Sequence, residues 1–213
     1  MENKKINPYI IVIAILLLII TWFAYKQWGN NFLSNIFKKE AGSKIELIIG
    51  NSDAPVEIIE YYSYVCSYCK LFEDNVKPQL LENYITKGKA KFVLRPFPPY
   101  ELGQAVLCAN DQGKFLEYHN YLFDNVDLIT SGNSLNQFAK NIGLDEGQFS
   151  TCLSSKKYEA KSKQWYEQGK DDFAKNNIPE NKMGTPSFLI NGELLIGVQP
   201  YEKFVEVIEK KLK

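Results

Sequence analysis

EYYSYVCSYC, residues 60–69, carries two cysteines separated by two residues, and GTPSF, residues 184–188, stands far downstream of it. The CxxC follows the apolar run Val56 to Tyr62 and precedes Leu71 and Phe72, the pattern of a strand handing over to a helix. A cysteine at the first turn of a helix sits where unpaired backbone N–H groups and the positive end of the helix dipole favour thiolate over thiol. Cys66 is therefore the candidate nucleophile, and Cys69, one turn on, is placed to close a disulfide with it as the resolving thiol.

Working outward, Lys44 to Ile49 and Val56 to Tyr62 are β-branched and aromatic runs split by the turn signal Gly50 to Pro55, which predicts two strands. A helix is predicted from Cys66 to about Thr86, with Leu71, Phe72, Val76, Leu80, Leu81 and Tyr84 at helical spacing. Pro78 lacks an N–H and clashes with the preceding turn, so this helix should kink near Asn75 to Lys77. Gly88 to Arg95 reads as a third strand, ended by Pro96, Pro98 and Pro99.

Between Tyr100 and Asn177 no convincing strand is found. Glu101 to Asp111, Lys114 to Asn125, Ser134 to Ile142, Asp145 to Ser154 and Lys156 to Lys175 read as helices, with Ser134 and Asp145 as N-caps. Ser187 to Ile190 and Leu194 to Gly197 form a hairpin across Asn191-Gly192, a type I′ signal, and Pro200 to Lys213 closes the chain as a helix. The order β-β-α-β, helical block, β-β-α is that of an α/β thioredoxin-like fold with a large helical insertion, at about 100–177, between its βαβ and ββα halves.

The 213 residues hold one domain with a sizeable core once an N-terminal segment is set aside, which places the domain at 44–213. Residues 1–7 are a cytoplasmic stub and 26–43 a tether. Residues 8–25, PYIIVIAILLLIITWFAY, reach the lower bound of about 17 to 20 residues for spanning a bilayer. Flanking Trp22, Tyr25 and Trp28 suit the interfacial belt, and no small-x-small cleavage site is evident, so an uncleaved transmembrane anchor is favoured over a cleaved signal peptide. Either way the folded part leaves the cytoplasm, as a tethered or soluble periplasmic domain. Lys+Arg 25 against Asp+Glu 25 leaves no net charge to recruit nucleic acid.

In an oxidising compartment four cysteines are expected to pair, and Cys66 with Cys69 and Cys108 with Cys152 is the simplest of three pairings. Zinc would need four ligands, and beyond the CxxC there remain isolated Cys108, Cys152 and the single histidine, His119, which reads as a packing or surface residue. A soft ion such as Cu(I) bound by Cys66 and Cys69 lacks a suitably placed Met or His. An inert CxxC staple is the remaining alternative, although a tight ring at an exposed helix end is easily reduced.

Glu60 to Cys69, then Phe72, Val76, Pro78 and Leu80, the helical insertion, and Gly184 to Phe188 with Asn191-Gly192 resemble the DsbA-like thiol:disulfide oxidoreductases of bacterial envelopes, from about Lys44 to the C-terminus. The resemblance implies an enzyme that introduces disulfides into reduced exported proteins without a cofactor. It also implies a quinone-linked membrane partner of the DsbB type that recharges the enzyme. It makes Pro186 a cis-proline facing the CxxC and Thr185 a backbone contact for a substrate strand. A structural disulfide between Cys108 and Cys152 would contribute about 4 kcal/mol in the chain-entropy model.

The resemblance also makes Glu60 a buried proton relay near Cys69, partnered by Arg95 or Lys91, while strand alternation alone leaves a solvent-facing Glu60 open. One departure bears on direction. Ser67-Tyr68 stands where the best-known members have Pro-His, so no cation in the dipeptide stabilises the thiolate. A reductase or isomerase on the same fold is therefore the alternative.

Overall fold

A computed structural model describes residues 45–129 and 132–213; the expected stub, membrane segment and tether at 1–43 lie outside the described residues. Among the described residues no helix is long and apolar enough to cross a membrane. Residues Glu46–Lys213 make one compact unit.

Five strands form one sheet in the order β1-β3-β2-β4-β5, with β1 at Leu47–Ile49, β2 at Val56–Tyr62, β3 at Ala90–Pro96, β4 at Ser187–Ile190 and β5 at Glu193–Ile196. β2 and β3 are parallel and the other neighbours antiparallel. A parallel pair needs a crossover, and α1 (Ser67–Asn75) and α2 (Lys77–Leu80) supply it. The helix breaks at Val76, where φ is −109° and ψ −46°, two residues before Pro78, and a π turn at Leu81–Ile85 completes the connection. Asn191 and Gly192 have φ of 41° and 88°, the left-handed pair a two-residue type I′ hairpin requires.

The insertion comprises α3 (Tyr100–Asn110), α4 (Phe115–Asp124), α5 (Gly132–Asn141), α6 (Glu146–Ser154) and α7 (Glu159–Lys175), and α8 (Tyr201–Leu212) ends the chain. The side chain of Asp145 caps α6 by accepting from the Gln148 N–H at 2.8 Å. Ser134 is not an N-cap, because α5 already begins at Gly132 and places it inside the first turn. The single helix read from Lys156 starts instead at Glu159; Lys156 has φ of 55°, a left-handed residue that turns the chain between α6 and α7.

Side chains on β2 alternate between two cores. Even positions face α1 and α8, where Phe72, Phe188 and Phe204 pack with ring centroids 4.4 to 5.5 Å apart. Odd positions face α7, where Ile59, Tyr61, Val93, Phe97 and Phe173 form a second cluster. Gly169 lets α7 approach closely here: a Cβ at this position would lie 2.4 Å from Phe97 Cζ and 3.3 Å from Tyr61 Cε1.

Candidate active site

The antiparallel register of β2 and β4, with Tyr61 opposite Ser187, brings the turn before β4 alongside the turn after β2. These turns carry Thr185-Pro186 and the CxxC. The Thr185–Pro186 peptide bond is cis, as is Pro98–Pro99 in the loop after β3. Cys66 occupies the N-cap of α1, its carbonyl accepting from the N–H groups of Cys69 (3.0 Å) and Lys70 (3.2 Å). Its thiol donates to the Thr185 carbonyl across the groove at 3.2 Å. Both thiols of the pair are free in this structure.

The two cysteines occupy different environments. Cys66 is half-buried; its partial burial pushes the thiol up, but hydrogen bonding to its sulfur from the Thr185 side chain and from the backbone of Cys69 and Tyr68 outweighs this and holds it below the ordinary value. Cys69, on the inner face of α1, is fully buried, and burial pushes its thiol well up although the Ser63 N–H donates to its sulfur at 3.5 Å. Val65, Tyr68 and Leu71, within five residues of Cys66 in the chain, are exposed apolar side chains.

Glu60 is wholly buried on the even face of β2, the face that α1 covers. Arg95 and Lys91 are not its partners. They stand in register with Tyr61 and Glu57, hence on the opposite face, where Arg95 meets Tyr61, Asp172 and Glu46, and Lys91 meets Glu57. The cation near Glu60 is Lys77, 3.3 Å away and itself buried. Burial pushes the Glu60 carboxyl up to about 8, opposed by Lys77 and reinforced by Glu73.

Glu73 explains why Lys77 does not hold Glu60 ionised. Lys77 Nζ donates to Glu73 at 2.6 Å, closer than its approach to Glu60, and His119 Nε2 lies 3.5 Å from the same Glu73 oxygen. Lys77, with His119, overcomes burial and keeps Glu73 below the usual carboxylate range, so one buried cation serves one carboxylate and leaves the second to hold a proton. His119 is a packing residue rather than a surface one: it is fully buried, its pKa depressed by that burial and by Lys77. Tyr64 and Tyr62 hydroxyls approach its Nδ1 at 2.9 and 3.3 Å.

Lys77, Glu73 and Ser63 escaped the reading of the sequence. The i,i+4 spacing of Glu73 and Lys77 was the available signal, since it predicts a helical ion pair, but not that the pair would be buried against Glu60.

Cys108 on α3 and Cys152 on α6 are joined, with an S–S distance of 2.01 Å and Cα atoms 5.8 Å apart. A cleft of about 480 Å³ lies beside this disulfide, and a second of about 330 Å³ lies beside Cys66. Among the described residues no group of three or more His, Cys, Asp or Glu is arranged to hold a metal ion.

The sequence profile of the thioredoxin family matches residues 43–210. A putative protein-disulfide oxidoreductase of Rickettsia prowazekii is 27% identical over 158 residues, 69% of this chain and 54% of the relative, so the chain spans about half of that relative's length. Disulfide bond formation protein D of Bacillus subtilis is 26% identical over 208 residues, 88% of this chain and 84% of that protein. Among solved structures, alpha-DsbA1 of Wolbachia pipientis superposes with a TM-score of 0.67 at 24% identity, covering 79% of this chain and 91% of that one, a likeness of fold.

Proposed function

The chain belongs to the thioredoxin family, with a DsbA-like fold, and from that membership we propose that it is a protein-disulfide oxidoreductase acting as a thiol oxidase. The observation that carries the reading is the asymmetry of the dithiol: a half-exposed Cys66 of lowered pKa against the Thr185 carbonyl, and a buried Cys69 of raised pKa behind it.

In the oxidised enzyme a substrate thiolate attacks Cys66 Sγ, the Cys66–Cys69 bond breaks, and Cys69 leaves as a thiolate. Its high pKa makes that thiolate a strong base, and Glu60, held protonated at neutral pH, is the proton source on the same face of the sheet. A second substrate thiolate then attacks the substrate sulfur of the mixed disulfide and releases Cys66. Two electrons pass from the substrate to the cysteine pair, and the substrate leaves oxidised. The extended backbone at Thr185-Pro186 receives the substrate as an added strand, a mode that reads shape more than sequence. Substrates are reduced exported proteins on the outer side of the membrane, with residues 8–25 as the membrane anchor, 26–43 as the tether and a DsbB-type quinone reductase returning the pair to the disulfide.

A reductase or isomerase reading has one observation in its favour, the absence of a cation in Ser67-Tyr68 to stabilise the thiolate. Between thioredoxin and the strongest oxidase of this fold, potentials span about 150 mV, or about 7 kcal/mol. Equilibration of Cys66-Cys69 with glutathione, together with an insulin-reduction assay, decides the direction. The oxidase reading expects a potential well above that of thioredoxin and weak insulin reduction; a thioredoxin-like potential with vigorous insulin reduction overturns it.

A further inference from the structure

The exchange puts negative charge on a sulfur that the fold seals from water. Cys69 is fully buried, so its thiolate forms against a desolvation cost unless donors meet it. Two groups donate to this sulfur. The Thr185 hydroxyl is one, but it also serves Cys66 and has a single proton to give. The other is the backbone N–H of Ser63, 3.5 Å from Cys69 Sγ. β2 ends at Tyr62, whose carbonyl accepts from the Phe97 N–H at 2.6 Å, so Ser63 is the first residue past the ladder. Its other polar groups fix its position: the carbonyl accepts from the Cys66 N–H at 3.1 Å, and the hydroxyl donates to the Pro98 carbonyl at 2.8 Å. Among the described residues, the sulfur of Cys69 is the acceptor this buried N–H meets. A thiol or disulfide sulfur is a weak acceptor and a thiolate a strong one, so the bond strengthens as charge develops.

We propose that the Ser63 N–H is a catalytic group of the exchange, a fixed donor that stabilises the negative charge forming on Cys69 in the transition state. The proposal rests on the reading of Cys69 as the sulfur that leaves Cys66. It applies to oxidation and reduction alike, because both directions cross one transition state. A substrate thiolate attacks Cys66 Sγ, the new disulfide forms as the Cys66–Cys69 bond breaks, and the electron pair goes to Cys69 Sγ. Ser63 donates to that sulfur while the pair arrives, and the proton follows from Glu60. The turn to Cys66 and the tether to Pro98 hold the donor in place beforehand, so it reorganises nothing during the reaction. An interaction strong only in the transition state raises the forward and reverse rates together and leaves their ratio alone.

The test replaces the Ser63 amide with an ester in the full chain, using the α-hydroxy analogue of serine, which removes the N–H and keeps the side chain. The oxidised protein is mixed with a peptide carrying one cysteine. Stopped-flow measurements follow formation of the Cys66–peptide disulfide and its reversal by Cys69. Both rates are expected to fall about ten-fold or more, the scale of losing one fixed donor to a developing charge, while their ratio stays within about three-fold of the wild type. Unchanged rates overturn the proposal; so does an altered ratio, which would place the effect of Ser63 in a resting state. The ester also weakens the Tyr62 carbonyl as the acceptor for Phe97, so the control is an ester at Phe97, which loses that bond outright and keeps the Ser63 N–H. An equal fall in the control assigns the effect to the strand end and refutes the donor. If the Ser63 ester does not fold, selenocysteine in place of Cys69, combined with Cys66→Ala, supplies an anion that forms at lower pH than the thiolate. The Ser63 amide proton should then move downfield in NMR spectra as the selenolate forms, and a stationary signal refutes the contact. A wild type that forms no mixed disulfide overturns the redox reading of the pair and the proposal with it, an outcome distinct from a reactive wild type matched by its ester.

Discussion

Replacing Glu60 with Gln removes the one carboxyl that Lys77 leaves to hold its proton, and the effect on stability should depend on pH in a definite direction. A carboxyl whose pKa rises on folding opposes folding at any pH where the unfolded chain has already released that proton. The opposition begins near the unfolded value of 4.5, grows through the window up to about 8, and is constant above it. Each pH unit within the window is worth about 1.36 kcal/mol.

The full penalty, reached above pH 8, is thus about 5 kcal/mol, and between pH 5 and pH 7 it grows by about 2 to 3 kcal/mol. Gln has no such titration. It keeps the shape of the side chain, and the Lys77–Glu73 contact at 2.6 Å remains. Any cost of burying an amide that lacks a partner, about 1 to 3 kcal/mol, is the same at both pH values and cancels in the comparison. Urea unfolding of the reduced wild-type protein and of Glu60→Gln at pH 5 and pH 7 measures the difference. The variant should gain on the wild type by about 2 to 3 kcal/mol from the lower pH to the higher. A gap that stays constant to within about 0.5 kcal/mol would mean that Glu60 is ionised in the fold and paired with Lys77, refuting the assignment of the proton to Glu60.

Lys77→Met leaves Glu73 charged, buried and without its cation, and should destabilise the protein by about 3 to 5 kcal/mol at pH 7 in equilibrium unfolding; the loss should shrink as pH falls and the carboxylates take up protons. Replacing Cys108 and Cys152 together with Ala should cost about 2 to 4 kcal/mol, measured by urea unfolding, because the unfolded chain regains the freedom of a long loop. Tyr68→His restores a cation beside the Cys66 thiolate, which stabilises the reduced form. The potential should rise by about 20 mV per kcal/mol of that stabilisation, as read by glutathione equilibration, and the Cys66 pKa should fall in parallel.

Much of the core architecture could be read because its signals are local. Cys66 at a helix start, the break before Pro78, the positive φ pair at Asn191-Gly192 and the cap at Asp145 each depend on a few consecutive residues, whose backbone preferences survive in almost any surroundings. Ser134 and the stretch from Lys156 to Tyr158 were misplaced for the complementary reason. A capping residue can lie within a first turn as well as before it, and a lysine in a left-handed conformation leaves no mark in composition.

The cysteine pair, the Thr185-Pro186 segment and the strand carrying Glu60 were determined by sequence alone, since motif and spacing suffice to place them on elements. Which way Glu60 points, and what it meets, belonged to the tertiary structure. The register of β2 and β3 puts Arg95 on the far face, and packing of the crossover helices puts Lys77 on the near one. Likewise His119 becomes part of a buried network only because α4 of the insertion lies against Tyr62 and Tyr64, and α7 approaches Phe97 closely because Gly169 carries no side chain there. Such contacts join residues far apart in the chain, and their energies depend on burial and distance, neither of which a linear pattern carries.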